Sequence, residues 1–135
     1  MDAKSFDVVV GGHICLDVIP AFGRRNGGLH DMLVPGKLVD VGPAVTATGG
    51  AVSNTGLALH RPGIRASLMG KIGDDMFGTV ILELLRQQDR RLTEGMIVSG
   101  DEHTSYSVVI NPPGIDRVFL HWMCSRSGTI ICCPV

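Results

Sequence analysis

Asp17 is the one charge in the otherwise apolar stretch from Ile14 to Ile19, so its carboxylate would stand at the end of a hydrophobic strand with two oxygens able to accept hydrogen bonds at once. Paired hydroxyls are suitable donors, and so is the backbone of a neighbouring turn; the sequence leaves both open. A second candidate is Gly49-Gly50, followed by Ala51-Val52-Ser53-Asn54. Two glycines let a backbone approach a ligand closely, and a helix starting behind them would offer unpaired N–H groups. The same pair could be an ordinary tight turn before a helix. Asn54 both donates and accepts, which suits a hydroxyl partner or a local helix cap equally well.

These groups need elements to hold them. Phe6 to Val10 is apolar and β-branched and ends in glycines, the pattern of a buried strand running into a loop. Ile14 to Ile19 reads as a second extended stretch and Ala21 to Asp31, with three glycines and two arginines, as loop. Leu33 to Val41 alternates loosely around Pro35-Gly36 and is expected to form a small exposed strand pair. A helix is expected from Gly49-Gly50 to His60, stopped by Arg61-Pro62-Gly63. Ala66 to Met69 is the next strand. Asp74 or Asp75 then caps a helix whose apolar face is Phe77, Val80, Ile81, Leu84 and Leu85. Met96 to Val98, Tyr106 to Ile110 and Val118 to His121 are further strands, the last two joined by an Asn111-Pro112-Pro113-Gly114 turn. Strand and helix alternate in the order of an α/β protein.

Composition narrows the function classes. With 44% hydrophobic and 19% charged residues the chain has enough apolar side chains for a packed core. Twelve basic against thirteen acidic residues, with only Arg24-Arg25 and Arg90-Arg91 as pairs, give no basic stripe for a nucleic-acid backbone. Aromatics, at 4%, are too few for a base-stacking platform. Met1-Asp2-Ala3-Lys4 is no secretion signal, no apolar run has the length of a membrane span, and the four cysteines lack a secreted disulfide spacing. A soluble cytoplasmic protein is the expectation. His121, Cys124, Cys132 and Cys133 lack the C-x-x-C pair of a zinc site. The remaining histidines pair with no nucleophile in a recognisable order, and neither G-x-G-x-x-G nor a P-loop occurs.

Three segments in order carry a resemblance: Gly11-Gly12-His13-Ile14-Cys15-Leu16-Asp17, then Gly49-Gly50-Ala51-Val52-Ser53-Asn54 with the helix behind it, then the G-x-x-G-x-D-x-x-G block from Gly70 to Gly78. Together they resemble the ribokinase-like, PfkB-type carbohydrate kinases over about residues 6 to 121, the N-terminal, substrate-side portion of that domain. The resemblance implies an α/β fold with a mostly parallel sheet, flanking helices and a small β-lid, the lid strands near 33–41 and 106–121. It implies that Asp17, Gly49, Gly50 and Asn54 bind the substrate, a sugar or a nucleoside, and that ATP with Mg2+ supplies the phosphoryl group in the full-length family. In some members the lid also forms a homodimer interface. The third block reads as structural, with Gly70, Gly73 and Gly78 relieving crowding, and Lys71 as a loop cation.

The family's later D-T-x-G-A-G-D block, which supplies the general-base aspartate and an anion hole, has no match in this sequence. Residues 122–135 depart from the family pattern and read as a shifted frame, a premature end, or the tail of a short paralogue. The expectation is therefore the sugar-binding half of a carbohydrate kinase, without catalytic residues of its own and without phosphoryl transfer as this chain. The alternatives are a non-catalytic sugar-binding or dimerising fragment and a nucleoside kinase fragment.

Overall fold

The computed structural model describes residues 6–23 and 28–124. The Arg24-Arg25 pair and the expected tail from residue 125 onward, with Cys132 and Cys133, lie outside the described residues. Strand β1 (Val8–Gly11) pairs in parallel with β4 (Ala66–Met69), Val8 opposite Ala66 and Gly11 opposite Met69. Strand β2 (Cys15–Pro20) lies inside a four-stranded sheet of order β3-β2-β7-β8. Its neighbours are β3 (Ala44–Gly49), antiparallel, and β7 (Tyr106–Ile110), parallel; β8 (Val118–Trp122) returns antiparallel along β7. A third, short parallel pair joins β5 (Lys71–Gly73) to β6 (Ile97–Ser99). The α/β reading holds, with three parallel pairings and two antiparallel ones distributed over three sheets.

The helices are α1 (Leu29–Met32), α2 (Gly50–His60) and α3 (Met76–Gln88). The core draws on β2 and the residue before it, α2, β4, β5, α3 and the 3-10 turn Arg90–Thr93 through the buried side chains of Ile14, Leu16, Val52, Leu68, Ile72, Ile81, Leu85 and Leu92. Burial of each is worth about 1.5–3 kcal/mol. Helix α3 uses the face its spacing predicts: Ile81 and Leu85 are fully buried, and Phe77, Val80 and Leu84 pack beside them. Helix α2 stops where Arg61-Pro62-Gly63 predicts, with Gly63 in a left-handed conformation (φ +96°) and its N–H on the His60 carbonyl. No helix among the described residues is long and apolar enough to cross a membrane.

Two expectations for the chain before β3 are corrected. Residues 33–41 form no strand. Pro35 and Gly36 make a turn, with Gly36 at φ +77° and the Lys37 N–H on the Val34 carbonyl, and Leu38 is 93% exposed. Alternating side chains are insufficient without a partner strand to complete a ladder. The strand that pairs with β2 begins at Ala44 instead, so of the expected lid strands only those within 106–121 are found where the sequence put them. The second correction is the loop expected through Asp31, which contains α1, anchored by the buried Met32.

The Gly70–Gly78 block builds the joint between β5 and α3. Asp75 is the helix cap: its carboxylate accepts from the Gly78 N–H (2.8 Å), the Thr104 N–H (2.8 Å) and the Thr104 hydroxyl (2.7 Å). A Cβ on Gly78 would overlap the Gly73 carbonyl, so helix and strand meet closer than any other residue permits. Lys71 lies on β5 rather than in a loop and is ion-paired with Glu102 at 2.6 Å. Partial burial alone would raise the Asp75 pKa, but the bonds from Thr104 and Gly78 together hold it below 3.8. A carboxyl with a lowered folded pKa stabilises above its unfolded value and loses that contribution as pH falls through the folded one. Asp75→Ala is therefore expected to cost about 1–2 kcal/mol at pH 7 by urea denaturation, and the gap from wild type should narrow below pH 3.8.

Candidate functional site

Asp17 sits at the middle of the four-stranded sheet, opposite Ala47 on β3 and Ser107 on β7, two residue pairs along from the Cys15–Gly49 pairing and on the same face. Its carboxylate leans toward that pair. The Cys15 thiol donates to Oδ1 at 3.6 Å, and a Cβ on Gly49 would overlap Oδ2 and stand 2.7 Å from Oδ1. The carboxylate thus occupies the space any side chain at position 49 would need. Gly50 turns the chain from β3 into α2 at φ +86°, and a Cβ there would lie 2.6 Å from the His13 carbonyl. The same carbonyl accepts the Val52 N–H at 3.1 Å, pinning the start of α2 to the loop between β1 and β2.

The N-cap of α2 is Gly49, with no side-chain cap hydrogen bond. The N-terminal end of the helix therefore falls beside the Asp17 carboxylate. No Lys or Arg forms a salt bridge with Asp17 among the described residues. A half-buried carboxylate whose partner is one weak thiol donor keeps acceptor positions for hydroxyl groups.

Four further side chains, Cys15, Ser107, His121 and His13, link into this neighbourhood. Burial, then the Asp17 charge, pushes the Cys15 thiol up to about 11, so it remains a protonated donor at neutral pH. His121 on β8 holds the Ser107 hydroxyl through Nδ1 at 2.9 Å. His13 packs its ring against His121 at 5.5 Å and nearly perpendicular, with its Nε2 enclosed and without a hydrogen-bond partner. Burial first, and His121 second, hold the His13 pKa below 6.5, with Asp17 opposing. Sequence reasoning passed over Ser107, and considered His121 only as a metal ligand. The available signal was the period-two alternation of the two strands flanking the Asn111–Gly114 turn, which puts both residues on one face once the register is known.

The structure brings Asp17, Gly49 and Gly50 together and places Asn54 apart from them. Asn54 lies within the second turn of α2, exposed, on a cleft of about 380 Å³ shared with Thr46, Thr48, Arg61 and Gln87. It does not cap the helix, since Gly49 has that position, and no hydrogen bond links it to Asp17 among the described residues. Nor do three His, Cys, Asp or Glu side chains converge as a metal site among those residues.

The sequence matches the pfkB family carbohydrate kinase profile over residues 6–122. The chain belongs to the PfkB family of carbohydrate kinases. It is 42% identical over 80 residues to "Probable fructokinase-4" of Arabidopsis thaliana, covering 59% of this chain and 21% of that protein. To Fructokinase-1 of Oryza sativa subsp. japonica it is 33% identical over 99 residues, 73% of this chain and 26% of the relative. Among solved structures, Arabidopsis thaliana ribokinase complexed with ribose and ATP superposes with a TM-score of 0.69 at 17% identity, over 90% of this chain and 37% of that one. The chain therefore spans about a fifth to a quarter of the length of these curated relatives, and the ribokinase-like fold is shared.

The overlap at position 49 makes a prediction that needs no ligand. Gly49→Ala should destabilise by about 1–3 kcal/mol through overpacking against Asp17. In an Asp17→Ala background the same change should cost much less. A double-mutant cycle by urea denaturation measures the difference.

Proposed function

We propose that this chain forms the sugar-binding side of an ATP-dependent carbohydrate kinase. The observation that carries the reading is the Asp17 carboxylate seated over Gly49 at the N-terminus of α2, without a salt-bridge partner among the described residues. Two adjacent hydroxyls of a sugar would donate to its two oxygens, while Gly49 and Gly50 let the ring approach the backbone. By the family resemblance Asn54, one turn further along α2, would contribute an amide. The relatives' names favour a sugar over a nucleoside.

The sequence holds no D-T-x-G-A-G-D block to supply a base and an anion hole beside an ATP–Mg2+ complex. As this 135-residue chain, the protein is expected to bind sugar and not to phosphorylate it. Calorimetric titration with D-fructose and D-ribose should give saturable binding that Asp17→Ala weakens by at least about tenfold, the loss of charge-assisted hydrogen bonds. Binding that ignores Asp17→Ala would overturn the sugar site. ADP release that requires both sugar and Asp17 would overturn the non-catalytic reading.

Self-association through the lid sheet is a second property with its own support. Strand β8 is an edge, and Phe119 (52% exposed), Leu120, Trp122 and Met123 leave apolar surface on it and just beyond. Size-exclusion chromatography with light scattering under reducing conditions should show a dimer or larger species, and Leu120→Lys should shift it toward monomer. A monomer at all concentrations would remove this property and leave the sugar site untouched.

A further inference from the structure

The strand register places four side chains in one row across the sheet: Ala47 on β3, Asp17 on β2, Ser107 on β7 and His121 on β8. Residues directly opposite on neighbouring strands share a face, and strands lie about 4.8 Å apart, so Asp17 and His121 start about 10 Å from each other on the same side. Between them Ser107 is small and buried, whereas Asp17 is half-buried and His121 exposed, so a ligand would span the two ends over Ser107. One end of this trough carries an acceptor-only carboxylate. The other carries an imidazole.

That imidazole is fixed in place. Nδ1 of His121 is engaged by the Ser107 hydroxyl at 2.9 Å, and the His13 ring stands edge-on to it at 5.5 Å. Ser107 is in turn flanked on the same face by Cys15, whose sulfur lies 3.9 Å from its oxygen. With Nδ1 occupied, Nε2 is the group of this exposed side chain without a hydrogen bond among the described residues. If Ser107 donates to Nδ1, Nε2 carries the proton and donates; in the other tautomer Nε2 accepts. A hydroxyl satisfies either, because it both donates and accepts.

We propose that His121 is a positioning and specificity-determining residue of the sugar site, hydrogen-bonding through Nε2 a hydroxyl on the side of a neutral sugar ring away from Asp17. Ser107 and His13 set the orientation of its ring. The proposal rests on the sugar-site reading above, and it adds that the substrate is measured across the sheet, from β2 to β8, rather than held at Asp17 alone. Sugars with the same Asp17-facing hydroxyls but different far sides would then be told apart by His121.

The test uses the full chain with D-fructose and D-ribose as probes. His121→Phe keeps a ring against His13 and removes Nε2; His121→Gln keeps a donor and an acceptor. Loss of one hydrogen bond should weaken binding of the preferred sugar by about tenfold in His121→Phe, with most of it restored in His121→Gln. In the wild type, the 15Nε2 resonance of His121 should move on adding that sugar while the resonance of His60, at the far end of α2, does not; this readout stands even if a variant fails to fold. Asp17-dependent binding with unchanged affinity in His121→Phe and an unmoved Nε2 resonance would overturn the role of His121 alone. Absence of Asp17-dependent binding by either sugar would overturn the underlying sugar site and the role of His121 with it.

Discussion

The organisation of this chain depends on a steric constraint at the junction of β2, β3 and α2. The carboxylate of Asp17 fills the volume above Gly49, and the next residue must turn through φ +86° against the His13 carbonyl before the helix can begin. Both conditions demand glycine, one for space and one for conformation. Once they are met, the Asp17 carboxylate lies at the N-terminal end of a helix with no side chain from position 49 or 50 beside it. An alanine at either position would move the carboxylate or the helix, so binding chemistry and backbone geometry are fixed by the same two residues.

The rest of the molecule holds that junction still. Gly56 in α2 packs so closely on Leu68 of β4 that a Cβ would overlap its side chain, which ties the helix to the β1–β4 pair. On the other flank, Asp75 holds both the N–H and the hydroxyl of Thr104, and Thr104 also receives the Gly73 N–H at 2.9 Å. Thr104 immediately precedes Ser105, whose carbonyl accepts the Leu16 N–H at 3.0 Å, and β7 follows. The Gly70–Gly78 block therefore acts on the site at a distance. It sets where β7 begins, and hence which of its residues faces Asp17.

Much of this was legible because local signals were strong. Ala66–Met69 and Tyr106–Ile110 are strands with the predicted ends, and the spacing of Phe77, Val80, Ile81, Leu84 and Leu85 located the buried face of α3. Asp17, Gly49 and Gly50 were visible as a carboxylate and a flexible pair, but their contact is made between residues more than thirty positions apart. Residues 33–41 misled because alternation was present without a partner, whereas β3, made largely of alanine and threonine, carried a weaker apolar pattern yet lay within reach of β2. Strand β5 escaped notice because three residues, the last of them a glycine and preceded by another, leave too little pattern to read. The row from Asp17 to His121 was hidden for another reason: it depends on two registers at once, and a slip of one residue in either would turn Ser107 or His121 to the opposite face.

The central claim is that the Asp17 carboxylate, held over Gly49, is the group that meets the sugar. The most direct measurement is the 13C carboxyl resonance of Asp17 in the full chain, followed by NMR as D-fructose or D-ribose is added, with the capping carboxylate of Asp75 as internal control. The account predicts a saturable shift of the Asp17 signal and a stationary Asp75 signal. An Asp17 resonance that stays in place while the sugar binds, or that moves only in step with Asp75, would contradict it.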